Sequence, residues 1–466
     1  MKHPFHQTRL YEIHSRIFCI ENDCKFDEMP SSFWKNPAIE AADEIWLMGI
    51  WSMSPGSRKI AQAHPGLRNE FKKALALVSE EDILSSPYAI YDYTLNSNLT
   101  SREGLQKFRT KLHELDKKLI LDFVPNHMAL DTPLLLSHAE CFLRGDIIDK
   151  NHFLHSSNNI FAHGRDPYFD GWTDTVQWDF SNQNTLELHT QILLNIAEHC
   201  DGVRCDMAML ALADVFFSTH GKQGIRYWDV LITRIKSKYP NFKFYAEAYW
   251  NREYDLQVLG FDGTYDKTLY DRLSHFDGSA VCDHLNADLN FQEKSIRFLE
   301  NHDEERAFSH FGSRSKNLFS LLCFLPGILL YYNGQDYGNV IKLPVQLGKR
   351  DIEVENLDMK IFYERVFNIL VNRHKKVEQT QINCLLYDEG RVFASLLTYG
   401  DHFELFIWNP MTHELSGKAQ LTTPMKCKEE FRDQITGILF PTPTENDLTE
   451  GLYFKLGPGQ AQWFIF

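Results

Sequence analysis

Three acidic side chains stand at the ends of short apolar runs. Asp206 follows Gly202, Val203 and Cys205, Glu247 follows Phe244, Tyr245 and Ala246, and Asp303 follows Phe298, Leu299 and His302. A lone aspartate after an apolar strand serves as readily as the N-cap of the next helix, so no single one is diagnostic. Their repetition is. Spacings of 41 residues from Asp206 to Glu247 and 56 from Glu247 to Asp303 bring all three to one rim of a parallel barrel, the face on which barrels carry reactive groups. Converging carboxylates repel, so one holds its proton near neutral pH while its neighbours stay ionised. That division is what cleavage of a glycosidic bond requires: the acid protonates the leaving oxygen and an ionised carboxylate attacks the anomeric carbon, the two standing roughly 5 Å apart in the retaining mechanism. Arg204, two residues before Asp206 on the same strand face, is expected to keep Asp206 ionised. Ala246, Tyr249 and Trp250 beside Glu247 are expected to raise its pKa.

A repeating scaffold must bring these groups together, and the chain carries one. Apolar strand-like runs recur at Leu10 to Phe18, Glu44 to Trp51, Lys118 to Val124, Gly202 to Asp206, Lys243 to Glu247, Ile296 to Asn301 and Gly327 to Tyr332, with a weaker one at Leu259 to Tyr265. Amphipathic segments, among them Glu103 to Asp116, Gln183 to His199, Arg226 to Lys238 and Lys316 to Cys323, lie between them. Eight strands alternating with helices predict an α/β fold, a (β/α)8 TIM barrel. The 84 residues from Asp122 to Asp206 place a short inserted loop subdomain after strand three, near 129–178, rich in His, Asn, Asp, Gly and aromatics and without a period. From about Ile382 alternating runs separated by Gly and Pro predict a small antiparallel β domain. The expected division is 1–378 for the barrel and 379–466 for the C-terminal domain.

With 466 residues, 43% of them hydrophobic, the chain can bury a sizeable core. Its net charge of −15 disfavours nucleic acid and anionic membranes as partners and suits a neutral or cationic small ligand. Nine cysteines without a CxxC pair read as small buried hydrophobes in a reducing compartment. Met1 to Leu10 carries His3, Pro4, His6 and Arg9 where an export signal needs an apolar stretch. A cytoplasmic location is expected.

With those residues in hand, the chain resembles the α-amylase family of glycoside hydrolases. Asp122-Phe123-Val124-Pro125-Asn126-His127, Gly202-Val203-Arg204-Cys205-Asp206-Met207-Ala208, Ala246-Glu247-Ala248-Tyr249-Trp250 and Glu300-Asn301-His302-Asp303 are similar, in order, to its four signature segments. Tyr88, Asp92, Tyr93 and Gly334-Gln335-Asp336 extend the likeness over most of the first 340 residues. The resemblance implies Asp206 as nucleophile, Glu247 as acid/base and Asp303 as the carboxylate that holds sugar hydroxyls. His127, Arg204 and His302 would complete the subsite, with Tyr88 as its stacking platform. It also implies α-linked glucosides or related oligosaccharides as substrate and a C-terminal β-sandwich. No cofactor is required; calcium at Asn126 is the one metal the resemblance admits. A transglycosylase or sugar phosphorylase would use the same intermediate, and a non-catalytic carbohydrate-binding protein could keep the same barrel. Met209 and Leu210 stand where starch-cleaving members usually carry a Lys-His pair.

Several features read as structure. His152, His155 and His163 lack a recognised ligand spacing and are expected at the surface or against sugar. Tyr168, Phe169, Trp172 and Trp178 suit either sugar stacking or packing. Arg306 reads as a local ion-pair partner, and Asp43 with Glu44 as solvated charge at the opposite end of the barrel.

Overall fold

The computed structural model describes residues 2–373, 376–387, 390–421 and 430–466; Cys427 lies outside them. Eight parallel strands close into a barrel in chain order: β1 (Gln7–His14), β2 (Glu44–Met48), β3 (Lys118–Phe123), β4 (Gly202–Cys205), β5 (Lys243–Ala246), β6 (Gly263–Tyr265), β7 (Ser295–Arg297) and β8 (Gly327–Tyr332). Every residue of β2, β4 and β8 is buried, as expected of strands covered on both faces. Register sets the site: Arg204 lies opposite Asp122 on one side and Tyr245 on the other. The ladder continues past the strands, for the Asp206 N–H donates to Phe123 O (2.9 Å) and the Glu247 N–H to Cys205 O (3.0 Å). Backbone hydrogen bonds thus fix both residues at the rim.

Outer helices start where caps allow. Ser101 accepts from the Gly104 N–H and opens Arg102–Glu114, which buries Leu105, Phe108 and Leu112; Asn182 accepts from the Asn184 N–H and opens Gln183–Ala197, which buries Leu186, Leu193 and Ile196. Each cap contributes about 1 kcal/mol and each buried aliphatic or phenyl group about 1.5–3 kcal/mol, so packing rather than propensity holds these helices.

Several expected strands are shorter than their apolar runs: β2 ends at Met48 within the run to Trp51, and β6 keeps only Gly263–Tyr265 of the run from Leu259. β1 gives way after His14 to a helix, Ser15–Asn22, so the run to Phe18 is half strand and half helix. β7 ends at Arg297, and residues 298–303 carry Asp303 to the rim without ladder pairing. The insertion has more order than an aperiodic loop: His127–Ala129 pairs with Thr175–Gln177, and His152–Leu154 with Ile160–Ala162. Phe142 stacks on the fully buried Trp178 at 4.0 Å beneath them.

A five-stranded antiparallel sheet (Lys2–Phe5, Val377–Gln381, Phe393–Tyr399, His402–Trp408 and Ala461–Ile465) faces a three-stranded one (Cys384–Leu386, Leu415–Ala419 and Leu452–Leu456). Leu396, Leu405, Ile407, Phe454 and Phe464 fill the space between, giving the expected sandwich. Its edge strand comes from the N-terminal end, where Lys2 to Phe5 pair with Thr380 to Val377.

Candidate active site

Arg204 has no exposed surface and organises the rim. Its Nη1 lies 2.8 Å from Asp206 Oδ1 and its Nη2 2.8 Å from Glu247 Oε2. Asp122 stands 3.8 Å away, braced by the Trp46 indole N–H (3.1 Å) and the Gly49 N–H (2.9 Å). The rings of Trp46, Tyr88 and Tyr265 face the guanidinium at 5.1–5.7 Å. A planar fork that meets two carboxylates and lies against aromatic faces is a role lysine does not fill.

The charge does not fall as expected from Arg204 alone. Burial, reinforced by the Glu247 and Asp303 charges, pushes Asp206 up to about 8 against the opposing guanidinium. Glu247 accepts from two donors, the Met207 N–H (2.7 Å) and the Tyr249 hydroxyl (2.6 Å), and forms an ion pair with Arg204, whereas the hydrogen bond Asp206 accepts comes from Arg204. Burial and the neighbouring carboxylates therefore favour the protonated form of Asp206. The same burial raises Asp122 to about 6.

A second chain of contacts holds Asp303. His302 Nε2 lies 3.0 Å from Asp303 Oδ2 and 2.6 Å from the Tyr88 hydroxyl, and His302 Nδ1 lies 2.5 Å from Glu12 Oε1. Burial would discharge His302, yet the Asp303 and Glu12 charges hold its pKa well above the usual value. Its partly enclosed place in the cleft works to raise Asp303, and the His302 imidazolium overrides this, holding Asp303 down at about 2. The Asp303 side chain is 44% exposed and open to the cleft. Glu12 and Tyr265 escaped the sequence reading as site residues, although a carboxylate inside the apolar run of β1 was itself a signal.

The other anticipated residues divide. Tyr88 stacks on His302 at 5.2 Å, and the insertion's Trp172 meets the His127 ring at 5.2 Å, so both flank the cleft. Burial drops His127 to about 4, which keeps it neutral. Tyr168 and Phe169 are exposed, and Tyr168 lies edge-on to Trp250 at 5.1 Å, beside the turn that follows Glu247. Trp250 and Asn251 both adopt positive φ (60° and 58°), a conformation non-glycine residues hold only where their surroundings impose it. Met209 and Leu210 are buried in the core. Trp178 is packing rather than a sugar platform. His152, His155 and His163 face Asp149, Ser157 and the Thr175 carbonyl respectively, and among the described residues no three His, Cys, Asp or Glu side chains gather as a metal site. Arg306 pairs with Glu300 at 2.8 Å. Glu44 is not solvated: it is 2% exposed and accepts from the Tyr245 hydroxyl at 2.6 Å, while Asp43 pairs with Arg9.

Fold and site define the class, a (β/α)8 barrel with a buried arginine–carboxylate centre at the carboxyl ends of its strands. No family model matches the chain. Alpha-amylase 3 of Dictyoglomus thermophilum is 22% identical over 348 residues, covering 66% of this chain and 68% of that protein. Alpha-amylase MalA of Haloarcula japonica is 25% identical over 353 residues, covering 73% of this chain and 45% of that protein, so the match spans less than half of this relative's length. In fold, the maltogenic alpha-amylase AmyB of Thermotoga neapolitana superposes with a TM-score of 0.66 at 20% identity over 98% of both chains. In sequence and in fold the chain is thus similar to alpha-amylases.

Proposed function

We propose that this protein is a retaining α-glycosidase that opens α-glucosidic or related oligosaccharides through a covalent glycosyl–Asp206 intermediate. The observation that carries this reading is the single guanidinium that grips Asp206 and Glu247 at 2.8 Å each, holding both carboxyls to one small volume, as retention demands. Burial favours a proton on Asp206. A sugar in the cleft needs it on Glu247, and because both carboxyls share Arg204, moving the proton between them leaves the net charge of the cluster unchanged.

Glu247 then gives that proton to the leaving oxygen as an Asp206 oxygen bonds to the anomeric carbon and the glycosidic bond breaks. In the second step the Glu247 carboxylate takes a proton from water, whose oxygen displaces Asp206 with its electron pair and regenerates the starting pair. Asp303, kept ionised by His302 and open to the cleft, accepts from sugar hydroxyls and stabilises the positive charge that develops on the ring. Tyr88, His127 and His302 shape the same subsite.

No step runs through calcium, because the surroundings of Asn126 do not fit it. Its Oδ1 and backbone oxygen both accept from the Gln177 amide at 3.0 and 2.9 Å, whereas calcium takes 6–8 oxygen ligands, carboxylates among them. Eight described cysteines are free, which supports a reducing, cytoplasmic setting, and no described helix is long and apolar enough to cross a membrane. Incubation with maltose, maltooligosaccharides, isomaltose, trehalose and sucrose, followed by NMR of the first product anomer, tests the mechanism. An initial α anomer is expected; an initial β anomer overturns it.

A further inference from the structure

A cavity of about 310 Å³ opens between the insertion and the segment that follows β4. In a chain of net charge −15, its walls are basic: Arg144, His152 and Arg165 from the insertion, His220 and Lys222 from the other side. Two of these side chains face a carboxylate, Lys222 that of Asp179 (2.5 Å) and His152 that of Asp149 (2.7 Å). The two arginines do not. Arg144 donates to the neutral Asn159 side chain and lies over the Phe161 ring, and Arg165 donates to the Thr219 backbone carbonyl. Neither is among the described ion pairs within 4.0 Å. Arg165 thereby caps the helix Ala213–His220, but one such bond uses a single donor of the five a guanidinium carries. His220 stays neutral, because burial, Arg165 and His152 together drop its pKa to about 3.

We propose that this cavity binds a phosphate group. Two unpaired guanidinium forks are the donors that a tetrahedral oxyanion meets in bidentate fashion. The volume is about ten times a water's share of the liquid, more than a bare anion fills, so the group can arrive as inorganic phosphate or on a sugar. The cavity shares a wall with the cleft: Ala162 and Arg165 line it, while Gly164, between them, packs against the His127 side chain. The site is independent of the glycosidase mechanism, since no residue of the carboxylate centre takes part.

Thermal shift and calorimetric titration with inorganic phosphate and with glucose 6-phosphate, against chloride at matched ionic strength, test it. Both phosphates should raise Tm where chloride does not, and Arg144→Gln and Arg165→Gln should each weaken binding about tenfold while hydrolysis of an uncharged maltooligosaccharide continues at the wild-type rate. That retained rate reports that the variants fold, and separates failure here from failure of the glycosidase reading. Tighter binding of glucose 6-phosphate, with competition against the oligosaccharide, identifies a phosphorylated sugar as occupant; equal binding identifies free phosphate. No Tm response beyond chloride, or a response unchanged in both variants, overturns the proposal.

Discussion

Asp206 and Asp266 occupy equivalent places, each the residue immediately after a short buried barrel strand, β4 and β6, and each nearly enclosed at 6% and 3% exposure. Each has an arginine beside it. Asp266 accepts from Arg297 Nε (3.1 Å), lies 2.9 Å from His284 Nε2 and accepts from the Leu269 N–H (3.1 Å), capping the helix that follows. Burial works to raise it, but those partners hold it below the usual carboxylate range. Asp206 shares its arginine with Glu247 and faces Asp303, and it is pushed up to about 8. Strand-end position and burial are common to both. What marks a site of chemistry is the shortage of compensating charge, several carboxylates drawing on one cation.

The sharpest way to break this contrast is substitution at both positions. Asp206→Ala should lower kcat roughly 10⁴-fold or more, the scale at which loss of a covalent nucleophile is felt, while Asp266→Ala leaves kcat near wild type; steady-state rates on a maltooligosaccharide decide. Comparable losses in both variants would mean that the two aspartates differ only in packing. The second effect is on stability. Asp266→Ala leaves Arg297 buried without its carboxylate, which costs roughly 3–5 kcal/mol, read from the denaturant midpoint.

Glu12 tests whether compensation can be tuned one group at a time. Glu12→Gln removes one of the two charges that hold His302 protonated, a charge-assisted contact worth about 1.5–3 kcal/mol, so kcat/KM should fall about 10–100-fold. With its pKa no longer held so high, His302 should lose its proton sooner, moving the alkaline limb of kcat/KM to lower pH. A reduced rate with an unmoved limb would leave Glu12 as packing alone.

Asp206→Asn gives a smaller effect with a defined sign. An aspartate ionises near 3.9 in the unfolded chain and near 8 at position 206 in the folded one. Between those values the folded state keeps a proton that the unfolded state releases, so the stability this group contributes is full below about pH 4 and is lost as pH rises to 8. An amide has no such slope. The Tm of Asp206→Asn minus that of wild type should climb through this window and stay level outside it; a difference constant with pH would show that Asp206 is ionised throughout.

The barrel was legible because its strands are covered on both faces, so eight apolar runs survive in the sequence with little dilution. Where a run exceeded its strand, as at Leu10 to Phe18 and Ile296 to Asn301, hydrophobicity alone could not separate ladder pairing from burial in a helix or an extended loop. The order inside the insertion was hidden because its ladders are three residues long, too short to print a period. Arg204 could be named as a partner from its place two residues before Asp206. Its second carboxylate contact, its three aromatic neighbours and the Glu12–His302 link join residues up to 290 positions apart and follow only from barrel closure. Glu44 was misjudged for the converse reason: nothing in its neighbours announces the Tyr245 hydroxyl, 201 residues away, that lets it lie buried.

Gln177 carries the contrast between shared and sufficient charge to a neutral group. Its fully buried Nε2 lies within 3.1 Å of three oxygens: Asn126 Oδ1, Asn126 O and Trp178 O. Three converging oxygens are a partial cation cage, and an amide, with no net charge to desolvate, stands at its centre. Chelators should therefore leave both Tm and hydrolysis unchanged. Gln177→Glu puts an acid among three acceptors, where its charged form is unfavourable unless a cation joins it, so Tm should drop in the presence of a chelator and recover when calcium is added. The size of that recovery reports how close the cage is to a metal site. A Gln177→Glu protein whose Tm ignores calcium would show that the three oxygens cannot turn toward an ion, and that the amide serves only to satisfy those acceptors.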